Sequence, residues 1–176
     1  MLNRDGLGAQ DYKKPGSGAL FLGGLIGISD HERIENSYAT GAVTLKKPPK
    51  GFRSSPTVGG FSGYLLEDTV SSSYSTGRPE KRNVPGGGFV GVNFKADYQA
   101  AYWDIDTTGA TSGCARNLRT KHCAVVGLTD AQLKSFLPGS FDPQVWGQAA
   151  NINSGYPYLL TNPPPKNAPE KRKLRH

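Results

Sequence analysis

The sequence predicts an all-β fold: a right-handed parallel β-solenoid of about three rungs with a short C-terminal helical cap. Three observations carry this expectation. A Gly-Gly motif occurs three times, each copy stands at one fixed distance from a tyrosine, and the composition is rich in turn-forming residues. Of 176 residues, 23 are Gly and 13 are Pro, about a fifth of the chain against an average share of roughly an eighth. Turns are therefore frequent and long helices disfavoured. A hydrophobic content of 36% is low for one thick core but suits thin stacked coils.

The repeat aligns without gaps. Gly23-Gly24-Leu25-Ile26-Gly27 matches Gly59-Gly60-Phe61-Ser62-Gly63 and Gly87-Gly88-Phe89-Val90-Gly91. Fifteen residues separate the first Gly of each copy from Tyr38, Tyr74 and Tyr102, while the copies themselves start 36 and then 28 residues apart. The tyrosine lies in Asn36-Ser37-Tyr38-Ala39-Thr40-Gly41 and again in Ser72-Ser73-Tyr74-Ser75-Thr76-Gly77, with a degenerate third copy at Ala100-Ala101-Tyr102-Trp103-Asp104. Length variation falls after the Thr-Gly. A Gly pair fits where the backbone needs positive φ or where a neighbouring backbone excludes a Cβ. The apolar run behind it reads as a buried strand, and the alternating stretch around Tyr as a half-buried one. Equivalent strands stacked from successive repeats form a continuous core that no single repeat builds alone. An antiparallel β-sandwich with Gly-rich turns uses the same local signals, but a fixed period favours stacking.

This places a remnant of a preceding repeat or linker at 1–21, the solenoid at 22–127, a cap at 128–162 and a basic Pro-rich tail at 163–176. Thr129-Asp-Ala-Gln132 has the pattern of a helix N-terminal capping box, with Leu133, Phe136 and Leu137 on one face and Pro138-Gly139 as the stop. Such a helix, with Trp146, Tyr156, Tyr158, Leu159 and Leu160, supplies apolar area to cover the end of a solenoid. A ligand pocket lined by those aromatics is the sharper alternative. The tail from Pro163 is too basic and extended to bury anything and is expected to be disordered.

Gly-Gly-Leu-Ile-Gly followed by Asn-Ser-Tyr-Ala-Thr-Gly resembles the GLUG repeat of bacterial surface and secreted proteins. The later strings Tyr102-Trp-Asp-Ile-Asp-Thr-Thr-Gly109, Gly127-Leu-Thr-Asp-Ala-Gln-Leu133, Val145-Trp-Gly147 and Gly155-Tyr-Pro-Tyr-Leu159 are similar to the end of filamentous-haemagglutinin-type adhesins. The resemblance spans about residues 22 to 160. It implies a long exported β-helix that mediates adhesion or biofilm contacts, often through two-partner secretion. Met1-Leu-Asn-Arg-Asp-Gly has no signal-peptide pattern, so the chain reads as a fragment of a longer exported polypeptide with further repeats upstream. No run reaches the roughly 18 apolar residues of a membrane helix, so membrane insertion is not expected.

Cys114 and Cys123 are the only cysteines and sit nine apart. In an extracellular protein that spacing points to a local disulfide, which would contribute about 2–3 kcal/mol. Zinc with His122 is disfavoured because four spaced ligands are not present. Asp104 and Asp106 would share one strand face and offer calcium binding or acid–base chemistry, yet paired Asp residues more often cap turns. No Gly-x-Ser-x-Gly, Walker-type or Rossmann motif occurs, so no catalytic role, metal or cofactor is expected.

The net charge of +7 invites polyanions. Basic residues cluster in the three variable segments: Lys46, Lys47, Lys50 and Arg53; Arg78, Lys81 and Arg82; Arg116, Arg119 and Lys121. Acidic residues occupy the connectors before each tyrosine: Asp30, Glu32 and Glu35; Glu67 and Asp68; Asp97. Stacked in register, these would form a basic ridge and an acidic ridge, the former suited to anionic polysaccharides or host-cell surface glycans. Solubility alone also accounts for charged loops. No recognised nucleic-acid module accompanies the basic charge, so nucleic acid is not an expected partner. The functional expectation is a non-catalytic adhesin-like repeat fragment; the alternative is an accessory repeat module of a secreted peptidase or glycosidase.

Overall fold

The computed structural model describes residues 19–47, 56–80, 86–120 and 122–167. They fall into two compact units, divided between Leu128 and Thr129.

The first unit is a parallel β-solenoid. Its first coil contains β1 (Phe21–Gly23), β2 (Ile26–Asp30), β3 (Arg33–Ala39) and β4 (Val43–Thr44). The second contains β5 (Thr57–Gly59), β6 (Ser62–Leu66), β7 (Thr69–Ser75) and β8 (Pro79–Glu80). The third contains β9 (Gly86–Gly87), β10 (Val90–Phe94) and β11 (Asp97–Asp104), followed by the short helix α1 (Ile105–Thr108). Strands β12 (Cys114–Leu118) and β13 (Val126–Leu128) add a partial fourth coil. Equivalent strands stack into parallel sheets ordered β1-β5-β9, β2-β6-β10-β12, β3-β7-β11-β13 and β4-β8.

Register follows the repeat. Gly23, Gly59 and Gly87 are stacked partners, and Tyr38, Tyr74, Tyr102 and Val126 form one row. The Tyr38 and Tyr74 rings stack with centroids 5.3 Å apart. Inside, Phe61 and Phe89 stack at 4.4 Å and are fully buried, whereas Leu25, one coil earlier in the same column, is 49% exposed. Identical aromatics meet because parallel neighbours repeat about every 4.8 Å.

The Gly pairs serve close approach. A Cβ at Gly59 would lie 2.5 Å from Gly91 N and 2.1 Å from Ser62 O, and one at Gly88 would enter the Trp103 ring at 2.1 Å. No side chain fits either position.

Where the sequence reads as a third variable segment, β12 and β13 build a fourth coil. It begins Thr111-Ser112-Gly113 without a Gly pair, yet Cys114 stands in register with Val90, and Gly88 N and Phe89 N donate to Ser112 O and Gly113 O. Backbone pairing thus extends the solenoid one coil beyond the recognisable motif.

The second unit has its own small interior, with Leu133, Phe141, Trp146 and Tyr156 buried. Helix α2 (Asp130–Ser135) carries the expected capping box: Thr129 Oγ1 accepts from Gln132 N, and Gln132 Oε1 accepts from Thr129 N. Phe136, expected on the buried helix face, is the C-cap in extended conformation and is exposed, because the helix ends one residue earlier. Strands β14 (Trp146–Gly147) and β15 (Tyr158–Leu159) pair antiparallel. The tail is tied to this unit as far as Asn167, whose backbone N–H donates to Asn151 O at 2.7 Å, while Lys166 bridges Ile152. The rest of the expected disordered tail, 168–176, lies outside the described residues.

Candidate functional site

The corner between the second and third sheets is built from backbone. His31, Glu67, Lys95 and Arg119 each have φ between 54° and 59°, and each stands just after a strand of the β2-β6-β10-β12 sheet. Left-handed backbone costs a non-Gly residue roughly 1–2 kcal/mol, and it is repeated here because it turns the chain sharply into the next sheet. A second left-handed row, Asn36, Ser72 and Ala100, bends the strands of the third sheet. Neither row carries a sequence signature, since the residue types differ from coil to coil.

The corner column mixes charges. Glu67 accepts from Lys95 Nζ at 3.0 Å and faces His31 Nε2 at 3.2 Å, while His31 Nδ1 pairs with Asp30. The hydrogen bond to Asp30, then the charges of Asp30 and Glu67, hold the imidazole pKa above its ordinary value against partial desolvation. Lys95 holds the Glu67 carboxyl below its ordinary value. Arg119 lies 5.7 Å and Lys95 5.9 Å from the Phe94 ring centroid, within cation–π range. A purely acidic ridge does not form, because His31, Lys95 and Arg119 occupy the same edge.

One acidic residue of that edge is internal. Asp68 is 1% exposed. Its Oδ1 accepts from Ser29 Oγ and Glu32 N of the first coil, and its Oδ2 from Leu66 N, all at 2.8 Å. One coil further, Asn93 accepts from Ala96 N at 3.1 Å and donates to Asn117 Oδ1 at 3.0 Å. Buried polar side chains thus tie coil to coil at the turn, where ladder bonds are interrupted.

The basic residues divide. Lys46 and Lys47 follow β4, and Arg78 precedes β8, its carbonyl accepting from Val43 N at 2.9 Å. These three line one open cleft together with Thr44, Leu45, Pro79, Glu80, Thr108 and Gly109. Among the described residues of that lining Glu80 is the one carboxylate, and it accepts from Thr44 Oγ1 at 3.1 Å. Arg116 instead lies on β12, in register with Val92, and Arg119 at the Phe94 corner. Arg116 and Arg119 of the expected ridge therefore belong with another sheet of the solenoid, since β12 and β13 build a further coil. Lys50, Arg53, Lys81, Arg82 and Lys121 lie outside the described residues.

Asp104 and Asp106 share no strand face. Asp104 ends β11 and caps α1, its Oδ1 accepting from Asp106 N at 2.9 Å and Thr107 N at 3.0 Å. Among the described residues no three His, Cys, Asp or Glu side chains gather as a metal would require, and no helix is long and apolar enough to cross a membrane. Cys114 and Cys123 are joined in a disulfide.

A family model described as the GLUG motif matches residues 19–44, the span of the first coil. The chain therefore carries a GLUG repeat. No curated protein and no solved structure matches it.

Proposed function

We propose that the chain is a non-catalytic GLUG-repeat module of a secreted or surface-exposed adhesin-like protein, and that it contacts an anionic polysaccharide through the cleft beside β4 and β8. One observation carries the reading: Lys46 and Lys47 line one open cleft with the sequence-distant Arg78, against a single carboxylate among the described residues. Two coils bring them together through the β4–β8 pairing, in which Val43 opposes Pro79 and Thr44 opposes Glu80. A linear polymer with sulfate or uronate groups presents charge at intervals that such an edge meets along its length. The disulfide supports an oxidising compartment, and the GLUG motif supports a surface or secreted role.

Binding of this kind is electrostatic and steeply salt-dependent, because screening shortens its range to about 8 Å at physiological ionic strength. Heparin-column elution tests it on a chain ending at Asn167, which removes the basic tail. Changing Lys46, Lys47 and Arg78 to Ser is expected to lower the eluting salt concentration more than changing Arg116 and Arg119 to Ser. Equal elution of the parent and the triple variant refutes the cleft as the binding site.

A further inference from the structure

Trp103, 7% exposed, belongs to the core cluster toward the C-terminal end of the first unit. Its indole lies against three bare backbones. A Cβ at Gly88 would meet its ring at 2.1 Å, one at Gly113 would lie 3.0 Å from its Nε1, and one at Gly127 would lie 3.2 Å from its Cε2. Gly88 belongs to the third coil, whereas Gly113 and Gly127 belong to the fourth. The fourth coil is thus the cover over the indole. It contributes only five strand residues on β10 and three on β11, and Val126 is about half exposed.

The disulfide spans this cover. Cys114 opens β12 at 4% exposure within the core cluster, and Cys123, partly buried, packs against the same cluster three residues before β13. The bond therefore joins the start of β12 to the segment that leads into β13. We infer that the Cys114–Cys123 disulfide is a redox latch: oxidised, it holds the fourth coil over Trp103; reduced, it lets that coil open while the first three remain folded. Opening uncovers the indole and frees the ladder edges of β10 and β11 for pairing with another strand.

A dithiol reductant operates the latch. One of its thiolates attacks Cys123 Sγ, the more accessible sulfur, and the S–S electron pair leaves on Cys114 Sγ. The second thiol of the reagent attacks the mixed disulfide and releases Cys123. The reagent ends as its own disulfide, having given two electrons and two protons to the protein sulfurs.

The whole chain carrying Trp146→Phe, so that Trp103 is the sole indole, is compared before and after dithiothreitol, and again after reoxidation by glutathione disulfide. Reduction is expected to red-shift Trp103 emission and raise its acrylamide quenching, and reoxidation to reverse both. Amide exchange across Cys114–Leu118 and Val126–Leu128 should accelerate on the order of 100-fold, the effect of losing one short-loop crosslink, with β6 and β7 unchanged. The Cys114→Ser, Cys123→Ser double variant should match the reduced protein. Unchanged emission and exchange overturn the latch, and so does an equal loss of protection in β6 and β7, which would make the bond a staple of the entire solenoid. Should Trp146→Phe fail to fold, the exchange comparison on the unmodified chain decides.

Discussion

Replacing Asp68 by Asn changes one atom type at a buried, triply hydrogen-bonded carboxylate of the solenoid. The native Oδ1 takes Ser29 Oγ and Glu32 N from the preceding coil, and Oδ2 takes Leu66 N. An Asn keeps Oδ1 and its two donors but sets an NH₂ group against the Leu66 N–H, so one bond becomes a donor–donor contact. The two surviving bonds also lose the strength a charged acceptor gives. One lost bond with a desolvated donor and two weakened ones amount to about 2–4 kcal/mol. At this size each kcal/mol shifts Tm by roughly 4 °C, so Tm should fall by roughly 8–16 °C. Asp68→Ala, which loses all three hydrogen bonds, should cost more. Thermal and urea unfolding, followed by circular dichroism at the strand band, measure both. An Asn variant within about 0.5 kcal/mol of the parent, or an Ala variant no worse than Asn, would refute the view that Asp68 clamps two coils.

Gly59→Ala should destabilise by about 3 kcal/mol or more, since its Cβ would lie 2.5 Å from the Gly91 backbone; Gly139→Ala, with open space around it, should be near neutral in the same urea titration. Tyr98→Phe should stabilise by roughly 0.5–1.5 kcal/mol, because its hydroxyl is buried without a partner and its column mates are Ile34 and Val70; a lower Tm would show that the hydroxyl is satisfied. His31 should titrate above its ordinary value by NMR and move downward in Asp30→Asn and in Glu67→Gln. The sign for stability follows from that raised value: its contribution is complete below the unfolded pKa of 6.5 and lost as pH rises through the folded pKa. Thr129→Ala should cost the second unit about 1 kcal/mol by removing its helix cap.

The repeats were legible because they put chemically similar residues at equal spacing. Gly23, Gly59 and Gly87 announce the coils, and the three tyrosines fix their register before any coordinates are known. The fourth coil hid because its side chains depart from the motif: Val126 stands where a tyrosine would, and Gly113 where Phe89 does. The left-handed corners hid for a related reason, since a conformation shared by His31, Glu67, Lys95 and Arg119 leaves no common side chain to read. Asp68 looked like one more surface charge beside Glu67, and only burial distinguishes them. The basic segments were visible as composition, but their grouping depended on whether residues 111 to 128 were loop or coil. Local signals such as the Thr129 capping box transferred intact, whereas Phe136 was misplaced by a helix one residue shorter than its pattern.

The coils differ in length while the stretch from Gly pair to tyrosine does not, and among the described residues strands like β4 and β8 occur only in the first two. The third coil closes instead through α1 and its left-handed Gly109. Perimeter is therefore a free variable of this solenoid: residues gained or lost beyond the tyrosine alter one flank and leave the stacked interior untouched. The flank that tolerates such change is also where Lys46, Lys47 and Arg78 lie. On the proposed reading, polysaccharide contacts would diverge from coil to coil by insertion alone, and a longer array of such coils would display several unlike surfaces along one uninterrupted axis.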